Sequence, residues 1–160
     1  MAKCKEIKTN AMRILETKKI PFTTHVYECD EFIDGIQIAD MLSLPYEKVY
    51  KTLVTQGNSK NYYVFVIPVA QELDLKKAAK TVGEKSVELI PVKQITAVTG
   101  YVRGGCTPIG MKKQFPTYIQ EDCILFDHIF ISAGQRGLQI QIKPTDLITF
   151  VGAIEADITI

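Results

Sequence analysis

Apolar and polar positions alternate along the chain with two periods, and each period marks a different kind of element. From Lys5 to Lys18, Ile7, Ala11, Ile14 and Leu15 recur at helical spacing with charge on the other face, which predicts an amphipathic helix ended by Pro21. Phe22 to Tyr27 then alternates as a strand does, with Phe22, Thr24 and Val26 on one face and Thr23, His25 and Tyr27 on the other. Gly35 to Leu44 reads as a short helix closed before Pro45. The segments 49–55 and 62–67, joined across Gly57-Asn58-Ser59, predict a hairpin whose second strand is apolar almost throughout, the pattern of a central strand. Asp74 is placed to cap a helix over 75–82, and Gly83 to stop it. A short strand over 87–90 precedes a helix framed by Pro91 and Gly100, with Val92, Ile95 and Val98 as its inner face. Strands over 117–119, 128–132 and 138–142 and a short helix over 144–150 complete the chain. Helices and strands mix without a regular βαβ repeat, so the pattern predicts an α+β domain around a largely antiparallel or mixed sheet.

Composition narrows the class. A chain of 160 residues fits one domain, taken as residues 1–160, and can bury most of its apolar surface. No stretch approaches the roughly 18–20 apolar residues of a membrane span. The amphipathic start is unlike an export signal, so no membrane partner and a cytoplasmic location are expected. Cys4, Cys29, Cys106 and Cys123 form no CxxC pair and are joined by only two histidines, which argues against structural zinc and against a disulfide framework. No cofactor is expected. The net charge of +1 excludes no class of partner, but it suggests contact with only a small part of any polynucleotide. No DNA partner is expected.

The stretch 101–113, Tyr-Val-Arg-Gly-Gly-Cys-Thr-Pro-Ile-Gly-Met-Lys-Lys, holds three glycines and a proline within seven residues. Such a loop can be a plain connection, or can present successive amides to an anion or a developing oxyanion. Lys51 also has two readings. If Val49, Lys51 and Leu53 face inward, an ammonium group sits at the floor of a pocket; if Tyr50 and Val54 do, Lys51 lies in water. The turn Ser132-Ala133-Gly134-Gln135-Arg136-Gly137 is either a hairpin connection or a phosphate or carboxylate site using Ser132 and Arg136. Cys106 has no base near it in sequence and reads more simply as a small side chain in a crowded loop than as a nucleophile. His25 and His128 read as packing residues, and Lys76, Lys77 and Lys80 as a solvated helix face.

Taken in order, Val49-Tyr50-Lys51-Thr52-Leu53, Leu73-Asp74-Leu75-Lys76-Lys77, the segment 99–113 and Ser132–Leu138 resemble the YbaK/EbsC family over nearly the whole chain. That resemblance implies a mixed, mostly antiparallel, barrel-like sheet flanked by helices. It further implies a free-standing deacylase, related to the editing domain of bacterial prolyl-tRNA synthetases, that clears cysteine from proline tRNA. Its partners would be the acceptor end of a misacylated tRNA and prolyl-tRNA synthetase. Lys51 would be the indispensable residue. Tyr27, Thr52 and Ser132 would line its pocket, the loop containing Gly105, Thr107, Pro108 and Gly110 would form the facing wall, and Gly134 and Arg136 would close one side. Lys112 and Lys113 would lie near RNA phosphate. Gln139 stands where familiar members carry aspartate, and Thr107 where many carry serine. Two other readings accompany this one: hydrolysis of Ala-tRNA within the same superfamily, and a non-catalytic module that docks on the synthetase or on tRNA.

Overall fold

The computed structural model describes residues 8–29 and 31–160. The first helix, α1 (Asn10–Thr17), begins where the Thr9 hydroxyl accepts from the Met12 amide, and it buries Ala11, Met12 and Leu15. Its predicted start at Lys5 lies outside the described residues. Strand β1 (Thr23–Val26) follows, then α2 (Gly35–Met41). A reciprocal cap opens α2: Asp34 accepts from the Gln37 amide and the Gln37 side chain accepts from the Asp34 amide. Strands β2 (Tyr50–Gly57) and β3 (Tyr62–Pro68) make the long hairpin, α3 (Leu75–Val82) is capped by Asp74, and β4 (Val87–Leu89) returns to pair with β2. Then come α4 (Ile95–Thr99), β5 (Thr117–Gln120), β6 (Ile129–Ser132), β7 (Leu138–Ile142), α5 (Pro144–Val151) and β8 (Ile154–Ala156).

The strands form two sheets, one ordered β1-β7-β6 and one ordered β4-β2-β3-β5-β8. Pairs β1–β7, β6–β7, β2–β3 and β2–β4 are antiparallel, whereas β3–β5 and β5–β8 are parallel. A single parallel bridge, Val49 to Phe130, joins the sheets where β2 and β6 begin. The predicted α+β class and mixed, mostly antiparallel sheet are therefore found, with two sheets meeting at a seam. Between them lies the main core, built from Tyr50, Val54, Val64, Val66, Ile131, Ile140 and the buried face of α1. A second core lies beneath α3, where Phe65, Ile67 and Tyr118 pack on Ala78 and Ala79.

Two departures from the sequence pattern have physical causes, and one open choice is settled. The segment 91–100 is a 3-10 turn over Val92–Gln94 followed by five residues of α-helix, and Val92 is 54% exposed rather than inward. That run is rich in β-branched residues, which favour helix poorly, and Pro91 offers no side-chain cap. In β1 the face carrying His25 is the inner one: Val26 is 44% exposed while Tyr27 is buried, and His25 packs across the sheet on Phe130. Strand β8 has three residues, two of them exposed, and leaves almost no period to read.

Candidate active site

A cavity of about 440 Å³ opens beside the seam, a size usual for small-molecule sites. Strand alternation puts Lys51 on the face of β2 that carries Val49 and Leu53. Tyr50, Thr52 and Val54 lie on the other face, with Tyr50 and Val54 in the main core, and the cavity is lined by residues of both faces of the strand. Both predicted alternatives thus contain part of the arrangement: Tyr50 and Val54 are inward, yet Lys51 faces the cavity and not bulk water. Its Nζ donates to the Val69 carbonyl at 3.3 Å. Burial lowers the Lys51 pKa, partly opposed by the carboxylates of Glu72 and Asp34. The second sheet contributes Ser132 and Gln139, which pair directly across β6 and β7 and so share one face. The start of α2 covers one side, with Phe32, Asp34 and Ile36, and the loop after α4 contributes Arg103, Gly104 and Cys106.

Several polar atoms in this region are buried and lack a partner among the described residues. Thr52 Oγ1 and Gln139 Oε1 belong to residues on the cavity wall, and Gln139 is only 3% exposed. An unmatched buried acceptor or hydroxyl carries a desolvation cost that a ligand could relieve. Tyr27 stands behind Gln139. Burial pushes its phenol up, while hydrogen bonding from the Gly137 backbone and the Gln139 side chain pulls the other way.

The glycine-rich loop is laced to itself and to α1. The Gly105 amide donates to the Val102 carbonyl at 2.9 Å, the Lys112 amide donates to the Thr99 carbonyl at 3.0 Å, and the Tyr101 hydroxyl donates to the Ile109 carbonyl. Gly110 has φ +72°, and a Cβ there would come within 2.7 Å of Ile14 Cδ1. Gly104 has φ +88°, and its missing Cβ leaves room for Phe32 and Arg136.

Of the residues proposed from sequence, Lys51, Thr52 and Ser132 therefore meet on one cavity. Tyr27, Gly105, Thr107, Pro108, Gly110, Gly134 and Arg136 do not line it. Gly105 and Thr107 are buried behind the wall, Gly110 and Gly134 pack toward Tyr101 and α1, and Arg136 sits at the mouth through Arg103. The Gly105 amide, committed to Val102, is not free to receive an oxyanion. Cys106 does line the cavity, and burial pushes its thiol up to about 12, the opposite of an activated nucleophile. Phe32, Asp34 and Arg103 escaped the sequence reading. They are charged or aromatic residues in irregular segments, where no period marks a face.

Comparison with known proteins agrees with this architecture. The family model described as aminoacyl-tRNA editing domain matches residues 35–150. A protein of Enterococcus faecalis (strain ATCC 700802 / V583) named "Putative Cys-tRNA(Pro)/Cys-tRNA(Cys) deacylase EbsC" is 45% identical over 161 residues, covering 99% of this chain and 98% of that protein. The Bacillus subtilis (strain 168) protein YwhH is 25% identical over 114 residues, 71% of this chain and 72% of its own. A solved structure described as "a putative trans-editing enzyme for prolyl tRNA synthetase" superposes with a TM-score of 0.83 at 23% identity, covering 97% of this chain and 99% of that one, a likeness of fold. With a matched segment running from the first residue of α2 into α5, this chain belongs to the aminoacyl-tRNA editing domain family.

Proposed function

We propose that this editing-domain protein removes cysteine from misacylated proline tRNA in trans, and that the substrate's own thiol is the nucleophile. The observation that carries the reading is the pairing of a half-buried ammonium group, Lys51, with a cavity whose one thiol, Cys106, is held protonated. An aminoacyl ester is already activated, so the protein need only position it and stabilise charge on the reacting oxygens. In the proposed step the cysteinyl sulfur loses its proton and attacks its own carbonyl carbon. A C–S bond forms, the C–O bond to the terminal ribose breaks, and the leaving oxygen takes up a proton. The products are tRNA with its terminal hydroxyl restored and a cyclic thioester, which water opens to cysteine. Lys51 stabilises the leaving oxygen, and Thr52 and Gln139 offer their unmatched oxygens to the aminoacyl group.

The test is release of cysteine and of alanine from the same charged proline tRNA. Cysteine release should dominate. It should disappear when the cysteinyl thiol is blocked by alkylation or replaced by the serine hydroxyl. Equal release of alanine would point to water as the nucleophile and remove the cyclisation step. Absence of turnover on either, with the protein bound to RNA or to prolyl-tRNA synthetase, would instead favour a docking module.

A further inference from the structure

The mouth of the cavity carries a group that the deacylation chemistry leaves unused. The Arg103 guanidinium lies 3.9 Å from the centre of the Phe32 ring, and that of Arg136 lies 5.7 Å from the same centre. Arg136 Nε donates to the Arg103 carbonyl at 2.7 Å, so one arginine is fixed by the backbone of the other and its terminal nitrogens stay uncommitted to that bond. Neither arginine has a carboxylate partner among the described residues. Two cations are thus held on one aromatic ring, and Gly104 permits the approach: a Cβ there would stand 3.0 Å from Phe32 and 3.2 Å from Arg136 Nε. The nearby Asp34 carboxylate is occupied with the cap of α2.

Uncompensated guanidinium groups brought together at the entrance of a site are placed for a polyvalent oxyanion, which they can grip through paired N–H donors. Resting on the reading above, we infer that Arg103 and Arg136, held on Phe32, bind the last phosphodiester group of the tRNA 3′ end. The two cationic tasks of the site are then divided. The phosphate is held at the mouth, and Lys51, inside the cavity and bonded to Val69, is left for the ester oxygen. Arg103 and Phe32 are positioning residues for the terminal nucleotide.

Binding of an uncharged RNA minihelix ending in CCA tests this without any deacylation. The native protein is compared with Arg103→Ala, whose exposed side chain can be removed without breaking a hydrogen bond described in the structure. Each is titrated with the minihelix and with a copy carrying a neutral methylphosphonate at the last linkage. The expected result is about tenfold weaker binding from either change alone, with little further loss when both are made. Arg103→Lys, keeping the charge but not the fork, should recover part of the affinity. Additive losses, or a methylphosphonate copy that binds the native protein as tightly as the natural one, would overturn the inference. A native protein that binds the minihelix in the expected way yet releases no amino acid would leave this site standing and remove the proposed reaction.

Discussion

Lys51 is costly to the fold through burial of its charge, and in the proposed reaction it is also the residue the site needs. Its pKa is lowered, chiefly by burial, so the unfolded chain holds its proton up to a higher pH than the folded protein does. Between those two values the unfolded state binds more protons, and stability therefore rises with pH through that window. Below that window the cost of burying the charge is fully present. Lys51→Met should consequently abolish turnover while raising the melting temperature by a few degrees, measured by deacylation assay and thermal melt. In the native protein, activity corrected for spontaneous ester hydrolysis should decline on the alkaline side earlier than an ordinary lysine would dictate. A flat profile there would deny the ammonium form a role. Cys106 gives the complementary prediction. With its thiol pushed up to about 12, it should react with iodoacetamide at neutral pH far more slowly than a free cysteine, and Cys106→Ser should keep most of the activity. A folded but inactive Cys106→Ser protein would instead speak for a protein thiol in the reaction.

At the level of elements, the site depends on a loop that is pinned at both ends. Gly110 packs on α1 with positive φ, so Gly110→Ala combines a left-handed backbone penalty of roughly 1–2 kcal/mol with crowding against Ile14. Gly83, also at positive φ but with open space where a Cβ would lie, should pay the backbone penalty alone when changed to Ala. Chemical denaturation should therefore rank Gly110→Ala below Gly83→Ala in stability, and equal losses would show that the contact with α1 is slack. Much of this was legible in the sequence, for a physical reason. Strands β2, β3, β6 and β7 carry strong apolar patterns because each is buried against a core, and Asp74, Gly83 and Pro144 are local signals that act where they stand. The cavity was legible only in part. Lys51, Thr52 and Ser132 sit on periodic strands, where a polar residue among apolar neighbours stands out. Arg103 and Phe32 meet across 71 positions of chain through loops with no period, and the commitment of the Gly105 amide to Val102 is a matter of loop geometry that composition does not encode.

The whole molecule sets the limit on how much RNA it can hold. Its 19 basic and 18 acidic side chains nearly cancel, and the cations at the cavity are few: Lys51 within it and Arg103 with Arg136 at its mouth. Each phosphate gripped on a single-stranded end contributes about 0.7 to the slope of log affinity against log salt. A footprint confined to the last phosphodiester should thus give a slope magnitude of about 0.7, where an extended acceptor-stem contact would give several times that. Titrating uncharged proline tRNA and a short CCA-ended minihelix at a series of salt concentrations measures it directly. Similar slopes and affinities for the two RNAs are expected, since the terminus is shared by every tRNA and contacts beyond it would be few. On this reading choice among tRNAs cannot come from the editing protein alone. Addition of prolyl-tRNA synthetase should then sharpen the preference for proline tRNA in the deacylation assay, by raising the local concentration of the right RNA. A steep slope, or a strong preference for proline tRNA shown by the isolated protein, would mean that it reads the tRNA body through surfaces outside the cavity.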